Sequence, residues 1–112
     1  MAQMWNWCRQ LISAIYTCHN HAKVVHRDIK PSNLMLNGHL DSEVCLIDFG
    51  ASERFREEDD TFKNIKVGTL HYFAPEMVEG NTVVHGCCTD IWAMGLTLYE
   101  VASGALCYQE AT

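Results

Sequence analysis

No stretch of this chain is long and apolar enough to cross a bilayer: the nearly apolar run from Ile91 to Tyr99 is about half of the ~20 residues that a membrane helix needs. Met1 to Arg9 lacks a basic segment followed by an apolar one, so no secretory leader is expected. Positive charge is also scarce. Residues 1–31 carry four Lys/Arg against one Asp, giving +3, and the remainder carries four against thirteen acids, giving −9 and a total of −6. That balance argues against a nucleic-acid-binding surface, and the basic residues that occur lie close to the clustered polar strings described below. The six cysteines, Cys8, Cys18, Cys45, Cys87, Cys88 and Cys107, contain no C-x-x-C pair. Most fall in apolar settings, as small buried thiols do, which implies a reducing intracellular compartment, the cytoplasm with the nucleus left open. A zinc site built from His85, Cys87 and Cys88 is the alternative, but adjacent cysteines lack the ligand spacing of structural zinc sites. Repeats, low-complexity tracts and a linker to a second domain are missing too.

What is present reads as one globular piece. Hydrophobic residues make up 48% of 112, a normal content for a folded domain, although some of that surface is expected to lie exposed rather than buried. Met4, Trp7, Cys8, Leu11, Ile12, Ile15 and Tyr16 recur at three- and four-residue steps, which predicts an amphipathic helix over about 3–20. Val24-Val25 and Leu34-Met35-Leu36 are short β-prone pieces flanking a polar string, 26–33, in which Pro31 prevents a helix. Asn37-Gly38 marks a turn, and Val44 to Ile47 reads as a buried strand that pairs with Leu34–Leu36 as a hairpin. Residues 51–73 have no sustained period and contain the acidic run Glu57-Glu58-Asp59-Asp60, so they read as a long mobile loop. Pro75 suits the first turn of a short helix over 75–79 that stops at Gly80-Asn81. A last helix is expected to start near Asp90, with Thr89 as a cap, and to end at Gly104. Because Trp92, Gly95, Leu96 and Tyr99 make its second face apolar, it is expected to be buried nearly all round. The class is mainly α with short β-hairpins, α+β.

Three strings carry the chemistry: His26-Arg27-Asp28-Ile29-Lys30-Pro31-Ser32-Asn33, Asp48-Phe49-Gly50 and Ala74-Pro75-Glu76. Asp28 is a carboxylate suited to accepting or orienting the proton of an attacking hydroxyl, and Lys30 is a compact charge suited to a transferring phosphoryl group. Asn33 and Asp48 are oxygen donors of the kind that Mg²⁺ takes together with phosphates. Taken singly, each has a plainer reading as a turn aspartate, a solvated lysine or a turn cap. Their joint occurrence at these spacings moves the balance to phosphoryl transfer.

Together the strings resemble the catalytic half of a protein kinase, and the resemblance covers nearly the whole chain. It implies that 26–33 is the catalytic loop, that Asp48-Phe49-Gly50 is the metal-binding segment and that Ala74-Pro75-Glu76 closes the activation segment. Asp28, Lys30, Asn33 and Thr69 would be catalytic; Lys30, Asn33 and Asp48 would meet Mg·ATP, with Asn33 and Asp48 on the metal. Thr69 would hydrogen-bond Asp28 and Lys30, Asp90 would hold the catalytic-loop backbone, and His26 would pack inside that assembly. Lys30 with Gly68-Thr69-x-x-Tyr72-x-Ala74-Pro75-Glu76 looks like the serine/threonine branch. Val25 to Leu34 and Trp92 to Tyr99 look most like calcium/calmodulin-dependent protein kinase kinases, with a longer turn between Leu36 and Val44 and with Cys107 in place of a usual proline.

The resemblance also implies what this stretch leaves out. Only 25 residues precede His26, so the Gly-rich loop, the ATP-anchoring lysine and its glutamate are not expected within it, and residues 1–112 read as one incomplete domain, part of the C-terminal lobe. ATP binding by this stretch alone is expected to be poor, and Glu76 would lack its arginine from later helices. Arg27 would grip a phosphate on Thr61 or the standing charge of Glu57 to Asp60; a solvated loop is the plainer reading. Expected partners are ATP and a protein with a Ser or Thr acceptor, without nucleic acid or membrane; regulation by a calmodulin-type protein or a scaffold stays open. The rival reading is a non-catalytic binding module or decoy. A small-molecule phosphotransferase is a third reading, opposed by Ala74-Pro75-Glu76 and the long segment before it.

Overall fold

Leu11, Ile15 and His19 stand four residues apart and therefore share one stripe of the first helix, α1 (Ala2–Asn20), where all three are buried. This is a computed structural model, and it describes residues 2–38, 43–56, 59–63, 67–79 and 83–103. The α1 stripe is narrower than its periodicity suggests, because Ile12 and Tyr16 are 50% and 59% exposed. Among the described residues, α1 packs mainly on β3 and α3, and the Gln10 side-chain oxygen also accepts the Val44 amide at 2.8 Å. The helix ends where the His21 and Ala22 amides both turn back to the Thr17 carbonyl at 3.0 Å, and Lys23 then takes a left-handed φ of 55°.

The chain continues through β1 (Val24–Val25) and a 3₁₀ turn at Pro31–Asn33 into the hairpin β2 (Leu34–Asn37) and β3 (Glu43–Leu46). Leu34 faces Leu46 and Leu36 faces Val44, so period-2 alternation turns Leu34 and Leu46 to the core and leaves Met35 exposed. The strand is not buried as expected, since Cys45 and Ile47 are exposed, and it runs one residue earlier at both ends, stopping before Ile47. The Ile47 amide leaves the ladder for the Asn33 carbonyl at 2.9 Å, and its own carbonyl accepts from His26.

Residues 51–73, expected as a featureless mobile loop, contain short elements instead. β4 (Glu53–Arg54) pairs antiparallel with β1, β5 (Thr61–Phe62) pairs with β6 (Val84–His85), and 3₁₀ turns occupy Phe49–Ala51 and Leu70–Tyr72. Strands of two residues are too short to show alternation, so no sequence period announces them.

α2 (Pro75–Val78) follows with Pro75 in its first turn, as expected. α3 (Gly86–Ser103) begins before Asp90, and Thr89 is not its cap, since the Thr89 hydroxyl donates to the Gly86 carbonyl at 2.7 Å. The capping group arrives from far along the chain: the Asp60 carbonyl accepts the Gly86 amide at 2.8 Å and its carboxylate accepts the Cys87 amide at 2.9 Å. Nor is α3 buried all round, since Ile91 and Tyr99 are 49% and 55% exposed.

Leu11, Ile15, Ile29 and Ala93 form the main core with Leu34, Leu46, Tyr72, Met94 and Leu98 around it; Ala74, Met77 and Val84 form a second cluster with Phe73 and Trp92. The expected exposed core is present as well. Trp5 is 72% exposed, and an apolar hollow of about 130 Å³ opens between α1, the hairpin and α3, lined by residues that include Trp7, Leu34 and Leu98. The described elements make an α+β arrangement. The expected stop at Gly80-Asn81, the Gly104 end, Cys107, and Glu57 and Glu58 lie outside the described residues.

Candidate functional site

Residues 26–30 have no regular ladder to satisfy their amides, so side chains must do it. Asp90, 2% exposed at the inner face of α3, accepts the His26 amide at 2.8 Å and the Arg27 amide at 2.9 Å. It also meets His19 Nε2 at 2.8 Å; since a carboxylate only accepts, that nitrogen carries the hydrogen. A buried charge with three donors is compensated, which is why an aspartate can stand there.

His26 is the second anchor and is 1% exposed, inside the assembly as expected. Its Nε2 lies 2.9 Å from the Ile47 carbonyl and must donate, so its Nδ1 is the acceptor for the Asp28 amide at 3.1 Å. The ring stacks edge-on to Phe49 with centroids 4.6 Å apart. One side chain thus joins the loop of Asp28 to the strand end that delivers Asp48.

Between these anchors the polar groups converge. The Thr69 hydroxyl accepts from Lys30 Nζ at 2.8 Å and donates to Asp28 Oδ1 at 2.8 Å, while the ammonium stands 3.9 Å from Asp28 Oδ2. Thr69 can come so close because Gly68 precedes it with a φ of +108°. A Cβ on Gly68 would lie 2.3 Å from the Arg27 carbonyl oxygen, so only glycine permits this crossing. Asn33, 5% exposed, donates its amide nitrogen to the Asp28 carbonyl at 2.7 Å, which leaves its amide oxygen as the atom able to meet a cation.

Asp48 follows β3 with a left-handed φ of 60°, and its carboxylate is exposed. The sharp turn expected of Gly50 is made by Asp48 itself, one of the few residue types that tolerate that region; Gly50 contributes an amide 3.3 Å from Asp48 Oδ1. Asn33 and Asp48 therefore present two hard oxygen donors on adjoining segments, a donor set that fits Mg²⁺ better than a softer ion. For the zinc alternative, no three ligands converge among the described residues, and His85 is bonded to Asp60 at 2.9 Å.

Arg27 has a left-handed φ of 72°, and its guanidinium makes contacts that include Nε donating to the Ala51 carbonyl at 2.9 Å, one Nη meeting Glu53 at 3.2 Å, and the group lying 5.3 Å from the Phe62 ring centroid. Among the described residues, Glu53 supplies a carboxylate against it. Thr61 is exposed and donates to Asp59 at 2.6 Å, which holds the Asp59 carboxyl below its usual range; Asp60 serves His85 and the start of α3. Tyr72 donates to Glu100, and burial followed by that carboxylate pushes the phenol above its ordinary value. Glu76 is half-buried in the first turn of α2.

Sequence reasoning missed His19, Glu53 and Glu100, and it set Asp60 within the charge for Arg27 rather than at the start of α3. Only His19 left a signal: it continues the four-residue step of Leu11 and Ile15, so a histidine on that stripe called for a buried acceptor.

The profile of the protein kinase domain matches residues 1–112, and the chain belongs to that family. Its relatives include a mitogen-activated protein kinase kinase of Nicotiana tabacum, 37% identical over 90% of this chain and 27% of that protein. A protein kinase domain-containing protein of Schizosaccharomyces pombe is 39% identical over 93% of this chain and 18% of its own length. A probable serine/threonine-protein kinase of Clostridium acetobutylicum is 36% identical over 96% of this chain and 16% of its own. The chain thus spans between 16% and 27% of the length of these relatives. By family it is a protein kinase chain, and no described helix is long and apolar enough to cross a membrane.

Proposed function

We propose that these residues are the catalytic-loop and activation-segment part of a protein serine/threonine kinase, whose intact form transfers the γ-phosphoryl group of Mg·ATP to a serine or threonine hydroxyl of a protein. The observation that carries the reading is the Asp28–Thr69–Lys30 chain of hydrogen bonds, which sets a carboxylate and an ammonium side by side with one fixed spacing. Because Thr69 occupies Asp28 Oδ1, Oδ2 is the oxygen left to take the proton of the incoming hydroxyl, and Lys30 stands beside it to offset charge on the phosphoryl oxygens. Asn33 and Asp48 would hold the metal, which supplies charge neutralisation on the phosphates when bound. Relatives named as serine/threonine kinases support the choice of acceptor, while the calcium/calmodulin-dependent branch rests on sequence likeness alone.

The test is radiolabelled phosphoryl transfer to a serine/threonine peptide library by the full-length protein, wild type against Asp28→Asn. Turnover that falls by about 10²–10⁴ in the variant is expected. Full-length protein that binds no nucleotide in a thermal-shift titration and labels no peptide would leave the non-catalytic binding module in its place.

A further inference from the structure

Phosphate-gated ordering requires an arginine that waits for its anion, and here Arg27 is already engaged. We infer that the described part of the activation segment, residues 49–56 and 59–62, is held in its ordered arrangement by carboxylates of the chain itself, Glu53 on Arg27 and Asp60 at the start of α3, and so orders without a phosphate. The inference rests on the kinase reading for its meaning, but its readout is backbone order rather than turnover, so the two can fail separately.

The first clasp is at β1. Val25 pairs with Glu53 and Val24 with Arg54, and the Phe55 amide extends the pairing by donating to the Lys23 carbonyl at 2.9 Å. Pairing in this register puts Glu53 within 3.2 Å of the Arg27 guanidinium, while Nε of the same group holds the Ala51 carbonyl. Glu53 is 54% exposed, so its ion pair is a modest contributor, and the backbone pairing adds to it.

The second clasp is at α3. The Asp60 carbonyl and carboxylate take the Gly86 and Cys87 amides, two of the donors that a helix start leaves without partners, and Asp60 Oδ1 meets His85 at 2.9 Å. The Phe62 ring then packs against the same turn. A Cβ on Gly86 would come within 2.5 Å of the Phe62 ring and 2.8 Å of a Val25 methyl, so the glycine is what lets the segment, β1 and α3 meet. Phe62 also faces Arg27, which links the two clasps through one guanidinium. Each contact uses a group present in the unmodified chain.

The measurement is hydrogen exchange of the full-length protein after phosphatase treatment, with intact mass showing no phosphate. Protected Phe55, Gly86 and Cys87 amides are expected. Glu53→Gln should speed Phe55 exchange by about two- to fivefold, the range of an exposed ion pair. Asp60→Ala should speed Cys87 exchange by about five- to tenfold, the range of a lost helix cap. The α1 amides of Leu11 and Ile15 should keep wild-type protection in both variants, which separates local loosening from failure to fold. Exchange of the Phe55, Gly86 and Cys87 amides at the rate of an unstructured peptide, with protection arriving only when phosphothreonine is installed at position 61, would overturn the inference. So would unchanged exchange in both variants.

Discussion

His26 donates its Nε2 hydrogen to the carbonyl of Ile47 at 2.9 Å, and this bond fixes the residue before Asp48 to the loop that carries Asp28. The other ring nitrogen accepts the Asp28 amide, so a single neutral tautomer serves both segments. His26→Phe keeps a ring against Phe49 and removes both bonds. The expected loss is about 1–3 kcal/mol, from two part-buried backbone groups left without partners, and the urea midpoint reports it.

Asp90 faces three donors from two elements. Asp90→Ala would orphan them together, for an expected cost of about 3–5 kcal/mol, enough to unfold a marginal domain. Chemical denaturation of the full-length protein checks this, and a loss below about 1 kcal/mol would contradict the bridging role.

Thr69 separates two readings of its own contacts. Thr69→Ser retains the hydroxyl that spaces Asp28 from Lys30, and kcat should stay within about threefold of wild type, whereas Thr69→Ala should lower it by about 10–100-fold. Equal losses in the two variants would mean that the methyl group, through packing, matters more than the hydroxyl.

The Asp60–His85 pair gives a pH signature. Burial works to raise the Asp60 carboxyl, but the His85 and Cys87 hydrogen bonds outweigh it and hold the group below its ordinary 3.8; the hydrogen bond and charge of Asp60 hold His85 above its ordinary 6.5. The raised histidine contributes stability that is full below 6.5 and is lost as pH rises through its folded value. The lowered aspartate contributes stability that is present above 3.8 and is lost as pH falls through its folded value. The difference in Tm between wild type and His85→Ala should therefore be widest between 3.8 and 6.5 and shrink on both sides. A difference that stays flat from pH 3 to pH 9 would rule out the pair.

Much of the site was legible because its residues are chemically explicit and close in sequence. Asp28, Lys30 and Asn33 occupy one short string, and the link from Thr69 to Asp28 and Lys30 followed from family likeness and appears in the geometry. The long helices and the hairpin were legible because each runs far enough to show its period. What stayed hidden has a common physical cause: partners distant in sequence. The start of α3 depends on Asp60, the extent of β3 depends on where Ile47 finds its bonds, and the strands β4 and β5 exist only because β1 and β6 lie beside them. The exposure of Ile12, Tyr16, Ile91 and Tyr99 is hidden for the converse reason, since an apolar period tells which residues share a face and not whether anything covers it.

At the first turn of α3, burial and then Asp60 push the Cys87 thiol up to about 12. Such a sulfur presents little thiolate at neutral pH, and thiolate is the form that electrophiles and peroxide attack. Its neighbour Cys88 is exposed to solvent. A covalent ligand aimed at this corner of the molecule would therefore have to be built for the second cysteine of the pair, with the first acting as a silent bystander.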